Sequence, residues 1–305
     1  MKCLVGCTGF VGSNLYHETT FDAAFHRIDV NQAYDSHPDL LVYAGMTAAK
    51  FLANQDEAAD FAVVREAERN IERIAPKRLV LISTVDVLPH PVGVDESASI
   101  DMAACDAYGR NRRKLELWAM DHVKDTLIVR LPALFGKGLK KNFLFDLLHP
   151  VPTMLRAGKY EELAQIPEIR ASYARQENGF YRCTLPLAER DGLLPLFERA
   201  GFTALAFTDH RSQYQFYGLA HLWEHIERAM ALGIPLLHLA TEPVTAGEVY
   251  TYLYSKPFVN ELPRTPARYD FRSRYAELFG GRDGYIFSKE QVLAEIKTFM
   301  EEQGR

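Results

Sequence analysis

Three glycines, Gly6, Gly9 and Gly12, separate a short apolar run, Lys2-Cys3-Leu4-Val5, from Ser13-Asn14-Leu15-Tyr16, which can open a helix. A strand that turns on glycine into a helix constrains a chain strongly. The missing side chains let the backbone turn tightly and bring its N–H groups against a pyrophosphate, and the helix N-terminus adds partial positive charge at the same place. The segment therefore predicts a dinucleotide cradle made of Gly6, Thr8, Gly9, Phe10, Val11 and Gly12.

The rest of the first half repeats the alternation. Strands are predicted to end at Ile28-Asp29-Val30, to cover Leu40 to Ala44 and Arg78 to Ser83, and to cover Thr126 to Leu131. Between them, Phe61, Val64, Ala67, Ile71 and Ile74 recur at helical spacing over Asp60 to Ile74, and a basic helix spans Tyr108 to His122. Alternating strands and helices imply a parallel sheet. The expected fold is α/β: a Rossmann-type, doubly wound parallel sheet with a smaller C-terminal substrate lobe.

The Rossmann domain is expected over 1–145 with a return helix at 213–232, and the lobe over 146–212 and 233–305. Short helices are expected at Asn142 to Leu148 and Gly192 to Ala200 and a polar stretch at Arg170 to Arg182, in a lobe that reads as carrying a lid, followed by a return helix from Gln215 to Leu232, a strand at Ile234 to Ala240 and a closing helix at Lys289 to Glu302.

Composition narrows the function. A formal net charge of −5 argues against nucleic acid, which demands a basic face. No run approaches the ~20 apolar residues of a membrane-spanning helix, so no membrane partner is expected. The N-terminus lacks the apolar region of a secretory signal, which points to the cytoplasm. Cys3, Cys7, Cys105 and Cys183 show no metal-type pairing, so they read as reduced thiols and no metal site is expected. Asp29, 17 residues beyond Gly12, is placed to accept hydrogen bonds from an adenosine ribose, which would favour NAD, with NADP remaining open.

Four motifs act in combination: TGFVGSNL (Thr8 to Leu15), the apolar run ending in STVDV (Leu79 to Val87), AYG with a basic residue four beyond the tyrosine, and RLPALFGKG (Arg130 to Gly138). With them the chain resembles an extended short-chain dehydrogenase/reductase of the NAD-dependent nucleotide-sugar epimerase/dehydratase group. The resemblance implies an enzyme that epimerises, dehydrates or reduces a nucleotide-linked sugar by hydride transfer, and by analogy a homodimer. It makes Tyr108 the acid/base and Thr84 the hydroxyl that holds the same substrate oxygen, and it places Ala44, Gly45 and Pro132 beside the cofactor.

The usual pattern is Tyr-x-x-x-Lys, whereas position 112 is Arg, which can support a phenolate electrostatically but effectively never deprotonates. Lys50, after the third strand, is a candidate for the missing lysine's function, and equally a surface lysine. Asp86 stands where the dehydratases carry a carboxylate base, but Val85 replaces the acidic residue many of them place beside it. Asp86 is thus open to elimination, epimerisation or a structural hydrogen bond.

On the substrate side, Arg130, Lys137, Lys140 and Lys141 could hold a diphosphate, with Asn142 and Arg211 as candidate cleft residues, or they are solvated charges and a helix cap. Tyr173, Phe180 and Tyr181 could stack on a base or pack the lobe. The competing class is a dinucleotide-binding sensor or regulatory protein with little catalysis.

Overall fold

The structure is a computed structural model describing residues 1–304, and its chain divides into two compact units. The first comprises 1–138, 213–244 and 268–296. It thus includes 233–244 and 268–296, which the sequence pattern suggests for the lobe. Its core is a six-stranded sheet of β1 (Lys2–Val5), β2 (Ala23–Phe25), β3 (Leu40–Tyr43), β4 (Arg78–Thr84), β5 (Asp125–Leu131) and β6 (Leu236–His238). The spatial order is β2-β1-β3-β4-β5-β6 with every pair parallel.

Side chains alternate across the sheet, so each strand feeds two cores. Helix α1 (Phe10–Glu18) lies on one face, and α2 (Lys50–Gln55) leads into α3 (Glu57–Ile74), which lies on the other. Helix α4 (Ala107–His122) shares the α3 face, and α5 (Leu222–Ala231) shares that of α1. Leu15, Leu222, Ile226 and Ala229 pack on Leu4, Val42, Val80 and Val129. Val64, Ala67, Ile71, Ile74, Leu115 and Ala119 pack on Cys3, Leu41, Leu79 and Ile128. Each buried Val, Ile or Leu contributes about 1.5–3 kcal/mol, which makes these two stripes the main stabilising term of the unit. Asp56 caps α3 by accepting from the Ala59 amide, and Ala75 ends it in the left-handed conformation at φ 51°.

Three elements depart from the sequence pattern. β2 is Ala23–Phe25, and Ile28-Asp29-Val30 is not strand: Ile28 is 92% exposed and Val30 opens a 3₁₀ turn. The return helix begins at Leu222, because Phe216–Gly218 is taken up as a strand parallel to Ala133–Phe135. Phe216 and Tyr217 are both buried there, which outweighs any helical preference. The β6 strand is confined to Leu236–His238, inside the apolar run.

The second unit comprises 139–212, 245–267 and the described residues from 297 onward. Val151, Leu155, Leu163, Ile169, Tyr173, Cys183, Leu193 and Phe197 form its core. Its polar stretch carries regular structure: Tyr173–Arg175 and Tyr181–Cys183 pair antiparallel, with Met154–Leu155 added to the latter. Tyr181 stacks on Tyr160 at 3.7 Å and Tyr173 packs in the core, so both serve this small sheet. Helix Leu194–Arg199 is preceded by a 3₁₀ segment rather than beginning at Gly192. Among the described residues, no helix is long and apolar enough to cross a membrane, and no cluster of His, Cys, Asp or Glu could hold a metal.

Candidate active site

The strand order reverses between β1 and β3, and in open α/β sheets the crevice outside the strand ends at such a switch point is where ligands bind. The glycine turn sits there. Gly6 has φ 92°, and a Cβ on it would stand 2.6 Å from the carbonyl of Ala44, so the exits of β1 and β3 approach too closely for any side chain. Ala44 and Gly45 thus border the turn. A Cβ on Gly12 would meet the Gly6 carbonyl oxygen at 2.1 Å, which locks the first turn of α1 onto the loop. Gly9 differs: an added Cβ would meet only the Gly6 oxygen, at 3.3 Å, leaving its outer side open. Gly9 is the N-cap of α1, brings no side chain, and no acidic residue follows in the first turn. An open backbone at an uncompensated helix N-terminus fits a phosphate-bearing group. Phe10 and Val11 pack back on the core, while Thr8 is exposed.

The Phe25 carbonyl accepts from the Gly6 and Cys7 amides at 2.8 and 3.3 Å, so the residues after β2 lie beside the turn. His26 reaches Thr8 Oγ1 at 3.2 Å. Asp29 lies four residues past the strand end and accepts from the His26 amide at 2.6 Å, while its charge, after burial, pushes the Cys7 thiol up. The carboxylate is therefore beside the turn even though the strand expected to carry it is absent. A small cleft between β1 and β3 is lined by Val5, Arg27, Tyr43, Gly45, Glu66 and Asn70.

The second cluster gathers at the ends of β4 and α4. Asp106 caps α4 by accepting from Gly109 N at 2.8 Å, which sets Tyr108 in its first turn. A Cβ on Gly109 would meet the Asp86 carbonyl oxygen at 2.1 Å, so only glycine lets α4 come this close to the turn after β4. Thr84 Oγ1 accepts from Asp86 N at 3.1 Å. Asn54 accepts from Tyr108 N at 2.9 Å, fixing α2 to the same corner. The STVDV and AYG segments are thus brought together. Pro132 stands half-buried between β5 and the strand Ala133–Phe135.

Arg112 is 3% exposed and forks Asp60, with Nη1 and Nη2 at 3.0 and 2.9 Å from its two oxygens. Nη2 also donates to the Thr47 carbonyl at 2.8 Å, and Nε is buried without a partner. The guanidinium lies 4.4 Å from the centre of the Tyr108 ring. Burial pushes the Tyr108 phenol up, and the opposing pull of Arg112 is the smaller effect.

Lys50 opens α2 rather than lying in a loop. Its ammonium meets Asp86 Oδ1 at 2.8 Å and Asp106 Oδ2 at 3.3 Å. Asp86 Oδ1 also accepts from the Tyr269 hydroxyl at 3.0 Å. Burial raises the Tyr269 phenol, and Asp86 raises it further. Asp86 is thus clamped by two donors, and Val85 is 3% exposed in an apolar cluster, so position 85 offers the site no polar group.

Three basic or amide candidates have partners within the protein. Arg130 is 1% exposed, donating from Nε and Nη2 to both oxygens of Glu116 at 2.9 and 2.7 Å and from Nη1 to His238 Nε2 at 3.0 Å, so it cannot hold a diphosphate. Ser83 donates to the same Glu116 at 2.6 Å. In the second unit, Asn142 caps Phe143–Leu148 by accepting from Leu144 N and Phe145 N, and Arg211 pairs with Asp209 at 2.8 Å and Glu261 at 3.0 Å.

Asp60, Asn54 and Tyr269 were not singled out from the sequence. Asp60 carries a signal, because it falls on the apolar stripe of α3 with Val64, Ala67 and Ile71, where a carboxylate requires a partner. Tyr269 carries none, standing 183 residues from Asp86.

No family profile and no curated protein sequence matches the chain. Solved structures do. A dTDP-4-dehydrorhamnose reductase from Bacillus anthracis in complex with NADP superposes with a TM-score of 0.63 at 15% identity, over 99% of this chain and 100% of the other. The UDP-glucose 4-epimerase of Thermotoga maritima with UDP-glucose gives 0.60 at 12%, over 100% of both chains. The Bordetella bronchiseptica enzyme WbmG in complex with NAD and UDP gives 0.60 at 13%, over 99% and 94%. This chain has their fold. At such identities the likeness concerns the backbone.

Proposed function

We propose that the chain is an extended short-chain dehydrogenase/reductase that binds NAD(P) at the glycine turn and modifies a nucleotide-linked sugar, with reduction of a ketosugar as the favoured reaction. The observation that carries the reading is the Tyr108 corner. A buried tyrosine with a guanidinium against its ring, a neighbouring Thr84 and a half-exposed lysine meet at the end of a sheet whose glycine turn fits a dinucleotide phosphate. The solved structures sharing the fold, with NADP, UDP-glucose, or NAD and UDP named in them, lend support.

Bound nicotinamide would supply the hydride chemistry. Tyr108, held protonated by burial, suits the donor role: its proton goes to a carbonyl oxygen as that oxygen gains charge. Thr84 holds the same oxygen by its hydroxyl. Arg112 stabilises the resulting phenolate without exchanging protons, and Lys50, whose ammonium Asp86 and Asp106 keep charged, adds a second cation beside it, while the phenolate takes its proton back from solvent. Elimination is disfavoured, because the dehydratase position 85 is a core valine and Asp86 is already occupied by Lys50 and Tyr269. Asp29 beside the turn favours NAD over NADP. A cytoplasmic homodimer completes the reading.

Mixing the protein with a nucleotide-linked ketosugar and NADH or NADPH tests this: reduced dinucleotide should be consumed, and Tyr108→Phe should slow consumption about 10²- to 10⁴-fold while leaving dinucleotide affinity intact. Failure to bind any nicotinamide dinucleotide would sink the reading. A second reading, a dinucleotide sensor, draws on one observation: the Nη donors of Arg112 that could meet a cofactor ribose are spent on Asp60 and Thr47. In that case Tyr108→Phe would leave function unchanged.

A further inference from the structure

The pairing of Arg112 with Asp60 gives position 112 a role that a lysine there would not have. Both side chains are nearly inaccessible, at 3% and 6% exposure. Burying a guanidinium and a carboxylate together gains little stability over an apolar pair of similar size, so the pair calls for another reason to be there. Its surroundings supply one. Asp60 comes from the first turn of α3, where Asn111 also donates to its Oδ2 at 3.0 Å, and its fork holds the guanidinium in the rotamer that lies against Tyr108.

We propose that Asp60 is a positioning residue for the acid/base tyrosine: it fixes the Arg112 guanidinium against the Tyr108 ring and takes up part of its charge. The proposal rests on the reading of Tyr108 as the acid/base. The charge balance around the phenol then has identifiable members. Arg112 and Asp106 come from α4, Lys50 from α2, Asp60 from α3 and Asp86 from the turn after β4, with the neutral Tyr269 hydroxyl on Asp86. An unpaired arginine at this distance would pull the phenol's titration lower than the paired one does. Asp60 offsets that pull, so that the raised titration set by burial is kept with a cation against the ring.

The test is an NMR titration of isotope-labelled tyrosine in the full chain, with the Tyr108 signal assigned by its loss in Tyr108→Phe. Asp60→Asn should lower the Tyr108 titration by about one pH unit, since it removes the partner of a charge facing the ring. Adding Arg112→Met to Asp60→Asn should raise it above the wild-type value, because the pull that the paired guanidinium still exerts on the phenol is then gone as well. An unmoved titration in Asp60→Asn overturns the proposal, as does a drop that persists once Arg112 is removed, because Asp60 would then not be acting through the guanidinium. Should Asp60→Asn fail to fold, the double variant buries no unpaired charge and is compared directly with wild type. Tyr108 then titrates higher if the pair acts on it, and an equal value overturns the proposal. Normal turnover in Tyr108→Phe removes the acid/base reading and the proposal with it, whereas an unmoved titration removes the proposal alone.

Discussion

The glycine turn and the Tyr108 corner lie at the same end of one sheet and are built in opposite ways. The turn is made of backbone: Gly6 and Gly12 are fixed by atoms within 2.6 Å of any Cβ they could carry, and one stretch of seven residues holds the whole of it. The corner is made of side chains, with Lys50, Asn54, Asp60, Thr84, Asp86, Asp106, Tyr108, Arg112 and Tyr269 drawn from α2, α3, β4 and the turn after it, α4 and its cap, and the segment after 267. A site made of main chain tolerates exchange of the side chains around it. A site made of paired charges is coupled, and loss of one partner is felt by the others.

The largest expected effect is on the coupled side. Arg112→Ala leaves Asp60 buried without its counter-charge and should cost about 3–5 kcal/mol of stability, measured by denaturant unfolding. A loss under about 1 kcal/mol would mean that the pair is not buried in solution. Next, Tyr108→Phe should reduce turnover by about 10²- to 10⁴-fold while the melting temperature and dinucleotide affinity hold, because only the proposed acid is removed. Gly12→Ala probes the backbone side. It forces a Cβ against the Gly6 carbonyl and should cost about 1–3 kcal/mol together with dinucleotide binding, read by calorimetry. Unaltered binding would show that the turn is not the cradle. Smallest is Lys50→Met: its ion pairs are 40% exposed on the lysine side, so stability should change by less than about 1 kcal/mol. Turnover should nonetheless fall about tenfold. Equal turnover would leave Lys50 as a surface residue.

The same division governs what the sequence reveals. The glycine turn, the strand alternation and the Thr84 and Tyr108 segments are local patterns, and each lies where its spacing puts it. Helix α3 is legible for the same reason, its stripe from Val64 to Ile74 being one face of one helix. The end of β2 is not: Ile28 and Val30 look like strand residues, but the pairing with β1 stops at Phe25 and the chain turns away. The return helix starts late because Phe216 to Gly218 finds a parallel partner at Ala133 to Phe135, a non-local pairing that no window of sequence contains. Arg130 reads as a substrate cation because its partners, Glu116 and His238, lie 14 and 108 residues away. Tyr269 is illegible on the same grounds.

The Arg130 cluster has a consequence for how such chains diverge. Arg130 is bound at once by Glu116 and His238, Ser83 shares the Glu116 carboxylate, and His238 in turn gives its Nδ1 proton to the Arg272 carbonyl at 2.9 Å. Glu116, Arg130 or His238 replaced alone strands a buried donor or acceptor, whereas Ser83 does not, since Glu116 keeps its arginine donors. Positions 116, 130 and 238 are therefore expected to change together or not at all among descendants of a common ancestor. Chains that keep all three would be recognisable as one lineage even where the surface around them has been wholly rewritten.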